Sequence, residues 1–134
     1  DRLGHISVDD AAIRRHVDAV LALPFLDVDA IRARAFSVAL DCCHGAGSRI
    51  MPALLEALGC RVTAIGMTAD GRFPRPPEPV ADHLDDLRAL VRSSGAVVGF
   101  ATDPDVDRLA LVDERGEAIG EDYTLALAVR AVLP

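Results

Sequence analysis

The chain has 134 residues, about the size of one domain, and 51% of them are hydrophobic, so a core can form and global disorder is excluded. The formal net charge of -7 argues against nucleic acid or an anionic membrane as a partner, because both favour a basic surface. No apolar run approaches the ~20 residues that span a bilayer, and the first residues lack a secretory signal pattern.

Two helices are predicted at the start of the chain. Ser7 followed by Asp10 is typical of an N-terminal cap, and the apolar residues after it recur on one helical face. Pro24 should end this helix. A second, shorter helix is predicted over residues 27–34, with Asp27 as its cap. The apolar face of the first helix consists of Ile13, Val17, Val20 and Leu21.

A strand, a helix and a second strand follow. Residues 37–41 form a short apolar run that predicts a buried strand. The glycine-rich turn at 45–48 then opens a helix, and Gly59 is the expected left-handed stop. Residues 61–65 read as the second strand. The inward face of the helix is predicted to carry Ile50, Leu54, Leu55 and Leu58.

The second half begins with a proline-rich segment, residues 67–81, which predicts a rigid surface loop. Asp82 should cap the next helix, and Gly95 should close it. The inward face of that helix is predicted to consist of Leu84, Leu87, Leu90 and Val91. Three further elements complete the chain: strands at 96–101 and 109–112, and a helix from about Glu121 that carries Leu125, Val129 and Val132.

Strands alternate with helices through most of this order, which predicts one α/β domain over residues 1–134 with three layers, α/β/α. The first three strands should be parallel. The connection from the third strand to the fourth is too short for a parallel return, so the fourth strand should run antiparallel. We therefore expect a four-stranded mixed sheet.

The three cysteines, Cys42, Cys43 and Cys60, are an odd number without a regular framework, which indicates reduced thiols and a cytoplasmic protein. A catalytic thiol at Cys42 or Cys43 is one interpretation. Burial of small apolar side chains at a strand end is the other.

Three carboxylates alternate just after the third predicted strand: Asp103, Asp105 and Asp107. Ligands gather at this edge of open α/β sheets, and three carboxylates that repel one another are stabilised by a cation. Oxygen ligands select a hard ion such as Mg²⁺, with Mn²⁺ as a substitute. Arg108 adds a planar fork of donors suited to a phosphate oxygen.

This loop has two other interpretations. Aspartates are common in solvated β-turns for local hydrogen-bonding reasons. The three aspartates with Glu114 also fit positions of an EF-hand calcium loop, but Arg108 stands where glycine is needed and the flanks read as strands.

The glycine-rich turn at 45–48 could offer N–H groups to an anion at the start of its helix. Close packing of the helix on a strand explains the glycines equally well. His44, beside the turn, has two interpretations: it points to the same edge of the sheet, or, as is more common for a lone loop histidine, it is incidental.

Four segments in this order resemble the second domain of the α-D-phosphohexomutases, which are the phosphoglucomutases, phosphomannomutases and phosphoglucosamine mutases. Residues 38–48 resemble the family's D-x-x-N-G-x-G turn, and residues 70–79 resemble its D-G-x-F-P…P-x-P loop. Residues 103–108 resemble its metal loop, D-G-D-x-D-R or D-P-D-x-D-R. Residues 120–122 resemble the start of the following helix. His44 replaces the usual Asn, and Arg75 and Pro76 stand where the family often has His or Asn.

The resemblance implies a parent protein of four domains, of which this chain would be the second. Asp103, Asp105 and Asp107 would bind Mg²⁺ together with a phosphoserine oxygen from the first domain, and Arg108 would neutralise the phosphoryl group. The third domain would read the sugar, and the fourth would bind the phosphate of the hexose phosphate substrate. The chain alone would be inactive.

Two other functions stay open from the sequence. One is a non-catalytic scaffold whose acidic loop is only surface. The other is a phosphatase with an aspartate nucleophile, which would need a lysine to manage the phosphate, and this sequence contains none.

Overall fold

The computed structural model describes residues 4–133, and its elements follow the predicted order. A short 3-10 turn, Ala81–His83, precedes α4. The helices are α1 Ala12–Leu21, α2 Val28–Arg34, α3 Gly47–Ala57, α4 Asp85–Ser94 and α5 Glu121–Val132. The strands are β1 Ser37–Asp41, β2 Arg61–Ile65, β3 Val98–Thr102 and β4 Leu109–Asp113.

The four strands form one sheet in the order β2-β1-β3-β4. Strand β1 is parallel to both β2 and β3, whereas β4 is antiparallel to β3. This confirms the predicted mixed sheet, including the reversed fourth strand. Thr102 pairs with Leu109 in the β3–β4 register, so the loop between them starts and ends at neighbouring points of the sheet.

Side chains of β1 alternate between two apolar cores, one on each face of the sheet. Val38 and Leu40 pack toward α3, and Ala39 packs toward α4. On the α4 side, Gly99 lets the helix come close, because an added Cβ would lie 2.7 Å from Val91 Cγ2. Helix α1 covers α3 from outside. The apolar run that predicted β1 is therefore a strand buried on both faces.

Two predicted caps are wrong. Helix α1 begins at Ala12 without a side-chain cap, and it is Asp9, not Ser7, that accepts the N–H of Ala11, at 3.1 Å. Asp82 lies in the 3-10 turn, and α4 begins at Asp85. Leu84 is fully buried just before α4, so apolar packing sets the start of this helix in place of a polar cap.

Four other predicted helix ends are confirmed, whereas α1 already ends at Leu21, before Pro24. Asp27 caps α2 by accepting the N–H of Ala30 at 3.0 Å. Gly59 and Gly95, with φ angles of 75° and 66°, follow α3 and α4 in the left-handed region.

Helix α5 begins at Glu121 as predicted. Its apolar side chains, among them Leu125 and Val129, are exposed. Within residues 4–133, no helix combines the length and the apolar character that a membrane crossing requires.

Candidate metal centre

Residues 103–108, here called the carboxylate loop, connect β3 to β4 at the carboxyl end of β3. Because β1 is parallel to β3 and adjacent to it, the carboxyl end of β1 lies at the same edge of the sheet. Asp41 and the glycine-rich turn after it therefore face the carboxylate loop. This is the edge at which open α/β sheets bind their ligands.

The three predicted ligands converge. One carboxylate oxygen from each of Asp103, Asp105 and Asp107 lies within 4.8 Å of the other two. Oxygen ligands around Mg²⁺ at about 2.0–2.1 Å are separated by up to about 4.2 Å, so a small adjustment would bring all three into range. Asp103 is buried, and the other two are exposed to solvent. The donor set fits a hard divalent cation with open positions for further ligands.

A tight reversal at Val106 brings Asp107 back beside Asp103. Val106 has a φ of 66°, which is a strained conformation for a β-branched residue. The N–H of Val106 donates to the Asp103 carbonyl at 3.3 Å, and the N–H of Arg108 donates to Asp103 Oδ1 at 3.2 Å. The loop thus holds a strained backbone conformation that brings like charges together. Such strain is common at ligand sites.

The pKa values of two of the three aspartates are shifted by their neighbours in the loop. A hydrogen bond with Asp103, together with the charges of Asp105 and Asp103, raises the pKa of Asp107 above its usual value. Burial acts to raise the pKa of Asp103, but its hydrogen bonds with Asp107 and the Arg108 N–H outweigh this effect and lower it. Asp107 therefore takes up a proton more readily than an isolated aspartate, and a bound cation would relieve the same repulsion.

Asp107→Asn should stabilise the chain when no metal is present. The folded pKa of Asp107 is raised, so deprotonation as the pH rises through that value removes stability from the folded state. Asn does not ionise and avoids this loss. In EDTA at neutral pH, we expect a higher Tm for the variant by differential scanning calorimetry. Mg²⁺ should raise the Tm of the original chain only.

A matched control separates this local effect from net charge. Asp10→Asn removes the same charge from an exposed position just before α1. An equal increase in Tm in both variants would mean that the overall charge of -7, and not the crowding of the loop, is responsible.

The glycine-rich turn packs directly against the carboxylate loop. A Cβ added at Gly45 would lie 2.4 Å from Pro104 Cα, and one at Gly47 would lie 3.0 Å from Thr102 Oγ1. The N–H of Ala46 donates to the Pro104 carbonyl at 2.8 Å. Close packing therefore accounts for these glycines, and one N–H at the start of α3 already has a protein partner. The positive end of the α3 dipole also lies beside the carboxylates.

A buried ion pair that the sequence analysis missed lies next to the carboxylate loop. Arg75, from the proline loop (residues 67–81), donates from Nε to Asp41 Oδ2 at 2.7 Å. A second nitrogen of Arg75 donates to the Thr102 carbonyl at 2.8 Å. One signal was available: Asp41 ends an apolar strand, and a buried carboxylate needs a partner of opposite charge.

Arg108 also contacts the proline loop. Its Nη1 lies 2.6 Å from Glu78 Oε1, while its Nε is 3.9 Å from Asp107 Oδ1. The hydrogen bond from Arg108, together with its charge, lowers the pKa of Glu78 below its usual value. Both side chains of the Arg108–Glu78 pair are exposed, at 53% and 61%. A phosphoryl group would therefore compete with Glu78 for the Arg108 guanidinium.

Packing and hydrogen bonding account for three residues near the glycine-rich turn: His44, Cys42 and Cys43. The N–H of Thr68 donates to His44 Nδ1 at 2.9 Å, so the imidazole connects its turn to the proline loop. Cys42 and Cys43 are fully buried. Burial, followed by the charge of Asp41, raises the pKa of Cys42 to about 12, and burial also raises that of Cys43. These surroundings favour the apolar interpretation over a reactive thiolate.

The EF-hand interpretation is excluded, because β3 and β4 flank the carboxylate loop where that motif needs helices. Within residues 4–133, the group of side chains that could hold a cation consists of the three aspartates and leaves out Glu114.

The sequence of the chain is similar to those of known proteins. Residues 14–116 match the model of the phosphoglucomutase/phosphomannomutase family for its alpha/beta/alpha domain II. A probable phosphoglucosamine mutase of Methanopyrus kandleri is 36% identical over 99% of the chain. A phosphoglucomutase/phosphomannomutase of Thermococcus kodakarensis is 38% identical over the same share. The chain spans 28% and 29% of these two proteins.

Solved structures agree with the fold. A phosphoglucomutase/phosphomannomutase family protein from Burkholderia thailandensis superimposes with a TM-score of 0.73 at 30% sequence identity. The match covers 90% of this chain and 26% of that protein. The family match and the shared fold lead to one conclusion: the chain belongs to the phosphoglucomutase/phosphomannomutase family, as an α/β/α domain II.

Proposed function

We propose that this chain is the metal-binding domain of a phosphohexomutase, an isomerase that reversibly transfers a phosphoryl group between the 1- and 6-positions of a hexose phosphate. The observation that carries the proposal is the convergence of three aspartate oxygens within 4.8 Å at the carboxyl end of β3. Family membership and the names of the relatives support the reaction class. A phosphoserine on another domain would carry the transferred group.

In this proposal, Asp103, Asp105 and Asp107 hold Mg²⁺, and Mn²⁺ can replace it. When bound, the ion withdraws charge from the transferring phosphoryl group. Asp103 is buried and fixed by the N–H of Arg108, so it sets the position of the site. Arg108 exchanges Glu78 for phosphoryl oxygens. Both side chains of the Arg108–Glu78 pair are exposed, and solvent screening weakens exposed ion pairs, so this exchange costs little.

The proposal also includes the partners of the chain, its location and the activity of the chain alone. The partners are a hexose phosphate and the remaining domains of the same protein, with no nucleic acid or membrane. Unpaired thiols in the described residues suit a cytoplasmic location. The chain alone should lack mutase activity, because none of its serines lies in the family's T-A-S-H-N-P setting. These serines are Ser7, Ser37, Ser48, Ser93 and Ser94.

Titration calorimetry of the chain with Mg²⁺ tests the site itself. We expect weak binding, because Mg²⁺ usually takes ligands from a phosphate as well as from carboxylates. The double variant Asp105→Asn, Asp107→Asn should lose the binding heat, and the exposed control Asp10→Asn should keep it. Equal heats for the original chain and the double variant would contradict the site.

A further inference from the structure

Arg75 lies in the proline loop, yet its guanidinium is almost out of solvent. The Arg75 side chain is 10% exposed, and the side chain of its partner Asp41 is 4% exposed. Besides Asp41 and the Thr102 carbonyl, its Nη1 contacts the carbonyls of Pro76 and Pro77 at 3.2 and 3.1 Å. A buried cation with this many oriented acceptors is fixed in place, unlike an exposed arginine.

The acceptors of Arg75 join the ends of two parallel strands. Asp41 is the last residue of β1, and Thr102 is the last residue of β3. The peptide that Arg75 holds through the Thr102 carbonyl is the one that leads into Asp103. Fixing this carbonyl relative to β1 therefore fixes the start of the carboxylate loop. Asp103, the buried member of the three aspartates, is the side chain most directly affected.

Asp41 is itself immobilised, so it acts as an anchor for Arg75. Its Oδ1 accepts the N–H of Cys43 at 2.8 Å. A Cβ added at Gly66, whose φ is +65°, would lie 2.6 Å from the same oxygen. Within residues 4–133, Asp41 is outside the group of side chains that could share a cation. Its buried charge thus holds Arg75 in place.

We propose that Arg75 is a positioning residue for the metal site, which sets the place of Asp103 without touching the cation. This inference rests on the proposed function, since it assumes that the carboxylate loop binds a metal. A lysine could neutralise Asp41, but as a point charge it could not also reproduce the fork that reaches Thr102, Pro76 and Pro77. The geometry of the guanidinium, and not only its charge, is therefore required.

The test uses the full-length protein that contains this chain, with Mn²⁺ as the probe. Arg75→Lys keeps the charge, Arg75→Gln keeps a donor without charge, and Arg72→Lys is a matched control on an exposed arginine of the same loop. Mn²⁺ affinity is measured by electron paramagnetic resonance, and Tm by calorimetry. The Mg²⁺ concentration for half-maximal activity is measured separately from kcat at saturating Mg²⁺.

We expect Arg75→Lys to fold and to weaken Mn²⁺ binding by about 10–100-fold, the usual effect of losing a partner that orients a metal ligand. Half-maximal activity should need correspondingly more Mg²⁺, and saturating Mg²⁺ should largely restore kcat. Arg75→Gln should weaken binding further. Arg72→Lys should change none of these quantities.

Three outcomes would overturn the proposal. The first is Arg75→Lys with unchanged Mn²⁺ affinity. The second is a loss of kcat that saturating Mg²⁺ does not restore. The third is failure of both Arg75 variants to fold even with excess Mn²⁺, since Arg75 would then be a general determinant of the fold. If the original protein binds no Mn²⁺, the proposed metal site itself is wrong. If the original protein binds Mn²⁺ and one of these three outcomes is seen, only the role proposed for Arg75 is wrong.

Discussion

Asp103→Asn in the full-length protein is expected to lower kcat for hexose phosphate interconversion by about 10³-fold. Loss of a ligand to a catalytic metal removes several kcal/mol of charge stabilisation, and each ~1.4 kcal/mol is a factor of ten in rate. Asn keeps the shape of the side chain and an oxygen that can accept the Arg108 N–H, so the loop should keep its fold. Phosphorus NMR of the 1- and 6-phosphate signals measures the rate.

The same experiment distinguishes the mutase from a scaffold. Asp10→Asn, which removes a charge from an exposed position, should leave turnover unchanged. Unchanged turnover in Asp103→Asn as well would favour a non-catalytic role for the acidic loop. Phosphatase activity of the 134-residue chain on its own would favour the third interpretation, that of a phosphatase, although the chain has no lysine.

Gly45→Ala is expected to displace the carboxylate loop and destabilise the chain by about 1–3 kcal/mol, the usual cost of overpacking. The added methyl group would lie 2.4 Å from Pro104 Cα and 2.5 Å from the Pro104 carbonyl oxygen. These are backbone atoms, so no rotamer change relieves the contact. Either the start of α3 or the carboxylate loop must move, and the Ala46–Pro104 hydrogen bond should weaken. Urea unfolding measures the stability, and Mg²⁺ titration measures the site.

Gly4→Ala is the matched control, because a Cβ at Gly4 meets nothing within 4 Å. It should change neither the free energy of unfolding nor the Mg²⁺ affinity. If Gly45→Ala kept full stability and full Mg²⁺ binding, the close approach of the two loops would not constrain the site. Lost Mg²⁺ binding with little loss of stability would show that the carboxylate loop, and not α3, gives way.

Much of the fold was predictable because its signals are local. Short apolar runs gave the bounds of β1 and β2, and the brief connection after β3 required β4 to reverse. The start of α1 was not predictable from the cap pattern, since Asp9 competes with Ser7 and Asp10 for the same role. The start of α4 depends on burial of Leu84, which is a tertiary contact.

The site was predictable only in part for the same reason. The three aspartates lie within five residues of one another, so their spacing alone suggested a shared cation. The supporting contacts are distant in sequence: Arg75 is 34 residues from Asp41 and 27 from Thr102. The sequence places Gly45 in a turn, but its contact with Pro104 appears only when β1 and β3 are side by side. No local pattern indicates such pairs.

If the proposed cation binds, these distant contacts link its binding to folding. The carboxylate loop is flanked by Arg75 and Gly45, which reach it only after β1, the proline loop and β3 have assembled. In the unfolded chain, the three aspartates are close in sequence, but their carboxylates are not held around one point. An ion that needs all three would therefore bind the native state alone and shift the folding equilibrium toward it. Metal affinity would then report how completely the chain has folded, before any reaction is measured.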